Sequence, residues 1–177
     1  MTNTTECKMA KKILITGVLG FIFSNFVRRV VPRFAEFQFV GVDKAMFSYN
    51  LNNSFKHPNY TFYLADIADK HIMNRIFEIE KPDIVISGAA ESFVDAAITN
   101  IDPFLHTNVI GMQCVVDCCL KYNVEFLLHI STDEIYGQQM SLDNAGWKEE
   151  SSIDARNPYA FSKAASELII KSANHTH

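Results

Sequence analysis

Lys12-Ile13-Leu14-Ile15-Thr16-Gly17-Val18-Leu19-Gly20-Phe21-Ile22 decides the fold. The apolar run over 12–16 reads as a buried strand ending at Gly17, and a helix follows from about Phe21 through Val31, stopped by Pro32. A tight glycine turn between strand and helix lets a pyrophosphate reach backbone N–H groups at the helix N-terminus. Alone, a Gly-x-x-Gly turn says little, because any βα connection can need one. Its place in the first βα unit says more, and Asp43 ends the next strand 23 residues after Gly20. A carboxylate there accepts hydrogen bonds from adenosine ribose hydroxyls and repels a 2′-phosphate, which predicts NAD rather than NADP. Lys44 pulls slightly the other way.

Outward from this unit, Gln38 to Val42 is a second strand closed by Asp43, and a loop rich in Asn and Ser (48–59) leads to a third at Tyr60 to Leu64. Asp69 to Glu80 reads as a helix with Ile72, Ile76, Phe77 and Ile79 on its apolar face, ended by Pro82. A fourth strand spans 83–87, a helical stretch 103–122, and a fifth, buried strand 126–130. A last helix opens near Tyr159. Strands that alternate with helices and read as continuous apolar runs predict an α/β, doubly wound parallel sheet of Rossmann type, in the order 3-2-1-4-5. The expected domain is 11–177 behind a polar N-terminal tail at 1–10.

The chain has 177 residues, 48% of them hydrophobic, enough for one buried core. A net charge of −4 without a long Lys/Arg run argues against a nucleic-acid partner. No apolar run approaches the ~18 residues of a membrane span, so a cytoplasmic setting is expected. Cys7, Cys114, Cys118 and Cys119 lack metal-type spacing and read as reduced, buried thiols; the six histidines do not cluster either, so no metal is expected. His129 reads as a satisfied interior residue, and Trp147 as exposed near the site mouth.

The chemistry-bearing stretch is Ser131-Thr132-Asp133-Glu134-Ile135-Tyr136-Gly137, where a hydroxyl and two adjacent carboxylates follow the fifth strand. Asn157-Pro158 opens the last helix, on which Tyr159 and Lys163, four apart, share a face. A cation beside the phenol lowers its pKa from about 10, which makes tyrosine a base near neutral pH. A capped strand end and a solvated Tyr/Lys pair would look the same piece by piece. Asp66-Ile67 after the third strand offers a carboxylate and an apolar contact to an adenine ring, or equally an Asx-type helix start. Gly88-Ala89-Ala90-Glu91-Ser92 is small enough to let a cofactor lie across the strand ends, as crowded helix packing would also require.

Together these segments, with Val94-Asp95, Thr107-Asn108-Val109, Gly111 and His129-Ile130, resemble the N-terminal part of an extended short-chain dehydrogenase/reductase, most closely a nucleotide-sugar 4,6-dehydratase of the dTDP-glucose type. The resemblance implies a lyase of nucleotide-sugar metabolism. Its NAD takes a hydride from sugar C4 and returns it to C6, its substrate is a nucleotide-diphosphate sugar, and it can be a homodimer. It implies Tyr159 as the base at the C4 hydroxyl, Lys163 tuning it and holding the nicotinamide ribose, and Thr132 bonding the C4 oxygen. Glu134 would abstract the C5 proton and Asp133 protonate the departing C6 hydroxyl, the two carboxylates having pKa values pushed apart. Gly17, Gly20, Phe21, Ile22, Asp43, Lys44, Asp66, Ile67, Ala89, Ala90, Ser92 and Thr107 would line the cofactor site. A nucleotide-sugar 4-epimerase shares the fold, NAD and the Tyr159/Lys163 pair but has no need of the carboxylate pair after Thr132; a non-catalytic NAD- or partner-binding role is the alternative outside enzymology.

Two positions depart from the pattern. Phe23 stands where a third glycine is expected, so helix 1 must stand off its strand or the ring must find a pocket. Phe93 replaces the histidine of the Ala-Ala-Glu-Ser-His pattern. The sugar-holding C-terminal portion, with a sixth strand, is expected to be absent, leaving nucleobase and sugar unread.

Overall fold

The computed structural model describes residues 11–45, 53, 55–138 and 146–177. Its strands are β1 (Lys12–Thr16), β2 (Gln38–Asp43), β3 (Tyr60–Leu64), β4 (Ile84–Ser87) and β5 (Phe126–His129), all parallel, in the order β3-β2-β1-β4-β5. This is the predicted order. The helices are α1 (Phe21–Val30), α2 (Lys70–Glu80), α3 (Val94–Thr99), α4 (Asp102–Phe104), α5 (Met112–Lys121) and α6 (Pro158–Thr176), with a π-helical segment, Leu105–Gly111, joining α4 to α5. The predicted tail, Cys7 and half of the 48–59 loop lie outside the described residues.

The pleat sends alternate residues to two cores. Leu14, Val40, Val42 and Val85 face α2 and α5, with Ile169 and Ile170 of α6 packed alongside; Ile15 and Phe39 face Phe23 and Val27 of α1. The sheet is thus wound on both faces, as Rossmann topology requires. Its two faces are unequally covered. On the α1 side, Ile15 is fully buried in β1, Ile86 half-buried in β4, and Phe126 and Leu128 exposed in β5. The sequence reads β5 as buried; the structure corrects this, because β5 is an edge strand beyond the reach of α1.

Helix α2 also departs from its predicted face. Met73, Ile76 and Phe77 are buried, while Ile72 and Ile79 are exposed. Asp69 caps this helix by accepting from the His71 and Ile72 amides, and the buried face is the one that meets Leu14, Val40 and Val85 of the sheet and α5. Helix α3 has no counterpart in the sequence reading: its six residues are too few for a periodic signal. The three described cysteines are free and buried in α5.

Candidate active site

The β1–α1 turn is held in place by three neighbours. Gly17 adopts φ +80°, and a Cβ on it would lie 2.8 Å from the Ala89 nitrogen, so glycine is required for both conformation and space. Thr16 Oγ1 accepts hydrogen bonds from the Gly88 and Ala89 amides at 3.1 and 3.0 Å, latching the end of β1 to the end of β4. Asp43 accepts from the Leu19 amide at 2.9 Å and, through its other oxygen, from the Ala45 amide at 2.9 Å. That carboxylate therefore braces the glycine turn from the end of β2. Gly20 caps α1 without a side-chain hydrogen bond, leaving the helix N-terminus suited to an anion.

Below this turn opens a cleft of about 450 Å3 at the C-terminal ends of the strands. Of the residues that the resemblance assigns to a cofactor, Gly17, Gly20, Phe21, Ile22, Asp43, Lys44, Ile67, Ala89, Ala90, Ser92, Thr107, Tyr159 and Lys163 line it. Asp66 does not; it stands beside the cleft, 3.8 Å from Lys44 Nζ and 3.2 Å from His106 Nε2. Lys44 Nζ also donates to Thr107 Oγ1 at 2.5 Å and pairs with Glu91 at 3.3 Å. Glu91 and Phe93 line the cleft as well, although the sequence reading gives neither a role.

Asn108 went unassigned too. Buried in the π-helical segment, it accepts from the Glu91 amide and donates to the Glu91 carbonyl, both at 2.9 Å, and to Ser162 Oγ at 2.8 Å. It thereby ties the small-residue loop after β4 to α6. An asparagine inside an apolar helical stretch is the signal that could have found it, since a buried amide needs partners.

Asn157 caps α6 through the Ala160 amide at 2.7 Å, which points Tyr159 and Lys163 at the end of β5. Lys163 is 3% exposed; its Nζ donates to the Ile130 carbonyl at 2.6 Å and lies 3.2 Å from His129 Nε2. Burial brings this lysine down to about 8 and His129 to about 3, so a neutral imidazole accepts from the ammonium. The predicted lowering of Tyr159 by Lys163 is not found. Burial raises the phenol, Glu134 and Asp133 raise it further, and the Thr132 hydroxyl alone opposes them. The reason is geometric: the ammonium is turned to the Ile130 carbonyl.

Asp133 and Glu134 are exposed on a 3₁₀ turn (Asp133–Tyr136), whose start Thr132 caps through the Glu134 amide at 3.3 Å. The Asn157 amide fixes Glu134 by donating to Oε2 at 2.8 Å. The two carboxylates open on a small hollow shared with Arg156 and Asn157, adjoining the cleft through the Thr132–Tyr159 contact. Trp147 is exposed against Tyr136, with ring centroids 6.3 Å apart.

Comparison with known proteins agrees with this fold. A dTDP-D-glucose 4,6-dehydratase of Mus musculus is 37% identical over 166 residues, which are 92% of this chain and 46% of that protein. The crystal structure of DesIV, a dTDP-glucose 4,6-dehydratase from Streptomyces venezuelae with NAD bound, superposes with a TM-score of 0.84 at 33% identity, covering 93% of this chain and 52% of that one. A UDP-glucose 4-epimerase of Thermotoga maritima superposes with a TM-score of 0.83 at 26% identity, with 93% and 52% covered. The chain thus spans about half the length of the curated relatives it matches. The sequence pattern defining the family described as GDP-mannose 4,6 dehydratase matches residues 14–177, and the chain belongs to that family.

Proposed function

We propose that residues 11–177 supply the cofactor-binding and acid–base half of an NAD-dependent nucleotide-sugar 4,6-dehydratase, a lyase acting on a dTDP-glucose-like substrate. One observation carries this reading: the Asp133–Glu134 pair is held by Thr132 and Asn157 beside Tyr159, at the mouth of a strand-end cleft. The glycine turn, the N-terminus of α1 and the Asp43 carboxylate fit NAD, and when bound it would supply the hydride acceptor for the C4 carbon.

This chain's residues would do the proton work. Tyr159 takes the proton of the C4 hydroxyl, and the Thr132 hydroxyl, which pulls the phenol's pKa down, favours the phenolate. Lys163 positions the end of β5 through Ile130 and reaches the nicotinamide ribose. With C4 a ketone, the C5 proton is acidic and Glu134 removes it; Asp133 protonates the C6 hydroxyl, which leaves as water. The sugar nucleotide is the partner of the whole protein. A homodimer is supported by the exposed Ile110, Phe161 and Leu168 on the outer helices, and a cytoplasmic setting by the three free, buried thiols. No described helix is long and apolar enough to cross a membrane.

The 4-epimerase reading is favoured by the Thermotoga maritima superposition, and the carboxylates separate the two. Completed with the remaining half of a relative, the Asp133→Asn/Glu134→Gln variant should show NADH absorbance that appears on adding substrate and persists. Tyr159→Phe should abolish that signal. Formation of 4-keto-6-deoxy product at the parent's rate by the double variant would overturn the dehydratase assignment. A parent in which NAD never associates points to the non-catalytic alternative.

A further inference from the structure

Phe23 is 6% exposed, yet it stands in the first turn of α1, where a dinucleotide loop expects a glycine. Its ring meets Phe26 edge-on, with centroids 5.8 Å apart, and lies directly over Gly88. Gly88 is not among the glycines with positive φ, so its backbone alone does not call for glycine. The ring does: a Cβ on Gly88 would overlap Cδ2 and Cε2 of Phe23 and lie 2.8 Å from Cζ. The same Gly88–Ala89 peptide is pressed from another side by Gly17 and hydrogen-bonded by Thr16. Three elements therefore meet at one peptide: the end of β1, the first turn of α1 and the turn after β4.

We propose that Phe23 and Gly88 are a size-matched pair in which the side chain missing at 88 makes room for the ring at 23. The pair sets how closely the first turn of α1 sits on the strand ends. The first helical bond runs from the Ser24 amide to the Gly20 carbonyl at 3.0 Å, so the amides of 21–23 precede the helical ladder and belong to the anion-facing end. Phe23 is accordingly a positioning residue for a dinucleotide's pyrophosphate, a role that rests on the proposed NAD reading. It also answers the departure at Phe23: the helix does not stand off, because the room lies at Gly88.

The test is a cycle in this chain of Phe23→Ala, Gly88→Leu and the double variant, followed by melting without ligand and by calorimetry with NAD and with adenosine, which lacks the pyrophosphate. Each single variant should melt lower, and the double should regain most of the loss because the isobutyl group introduced at position 88 refills the ring's space. Phe23→Ala should weaken NAD by roughly fivefold or more but leave adenosine within about twofold, and the double should recover NAD binding. If Gly88→Leu does not fold, Gly88→Ala replaces it, and a Phe23→Ala/Gly88→Ala variant that melts no higher than Gly88→Ala alone overturns the pair. Additive melting losses also overturn it, and equal weakening of NAD and adenosine overturns the positioning role. A parent that binds neither ligand refutes the NAD reading and the positioning role with it, while the melting cycle still decides whether the pair exists.

Discussion

Two residues have protonation that burial has displaced furthest in chemically useful directions, and both adjoin the proposed reacting centre. Lys163 releases its proton near 8 in the folded chain and near 10.5 when unfolded. Between those values the unfolded chain holds more protons, so raising the pH favours the folded state, by up to about 3 kcal/mol across the window. The buried Cys118 and Cys119 thiols, which the fold keeps protonated, pull the other way, so Lys163 is read by difference: the stability of the parent minus that of Lys163→Met should grow from about pH 8 to 9.5. His129 gives an acid counterpart: neutral in the fold down to about 3, it protonates near 6.5 once unfolded, so stability falls as the pH drops below 6.5. His129→Gln should make that acid limb shallower; an unchanged limb would mean another group carries it. At Asp43 the structure adds a second duty to the proposed ribose contact, since the carboxylate braces the Leu19 amide. Asp43→Ala should narrow the preference for NAD over NADP, as relief of repulsion requires, while also weakening NAD itself. Equal affinities in the parent would refute the charge argument.

Individual elements show where sequence periodicity suffices and where it does not. The strands and α1 are legible because a buried parallel strand is a continuous apolar run and a glycine turn marks its end. Helix α2 is legible as a helix but not in its facing, because the sheet and α5 against which Met73, Ile76 and Phe77 pack lie outside any local window. The burial of β5 is misread for a different reason: edge position is a property of the sheet, which no local window contains. The Phe23–Gly88 contact is equally invisible, for the two residues lie 65 positions apart in sequence. The cap of α6 joins element to chemistry. Asn157 accepts from the Ala160 amide and donates to Glu134, so Asn157→Ala should cost about 1 kcal/mol of stability from the cap and free the carboxylate as well. Asn157→Asp should keep the cap while repelling Glu134, so a melting point near the parent's for Asp and lowered for Ala is the expected pattern. Equal losses would place the contribution elsewhere. Asn59 makes a similar junction, donating to the carbonyls of Val31, Phe34 and Phe37 where α1 gives way to β2.

For the molecule as a whole, the cleft depends on the sheet's connectivity more than on any one loop. The β1 and β4 ends diverge in topology, because the chain winds one way from β1 to β3 and the other way from β4 to β5, and a crevice forms where the direction reverses. Residues from 17 to 163 reach that crevice, so the candidate site was legible in sequence only as separate motifs whose convergence the topology supplies. The Lys163–Ile130 bond could not be read there, since it depends on the distance between α6 and β5. Because the cleft joins the ends of all five strands with α1, the π-helical segment and α6, a ligand filling it should stabilise the entire cooperative unit. At a hundredfold excess over Kd, NAD should add about 2.7 kcal/mol, a rise of roughly 5–10 °C in Tm for a domain of this size. NADP should produce a smaller rise, and Asp43→Ala should bring the two rises together. A Tm unmoved by NAD at millimolar concentration would mean that the described crevice alone does not hold the dinucleotide, and that the remaining length found in the relatives is needed to close it.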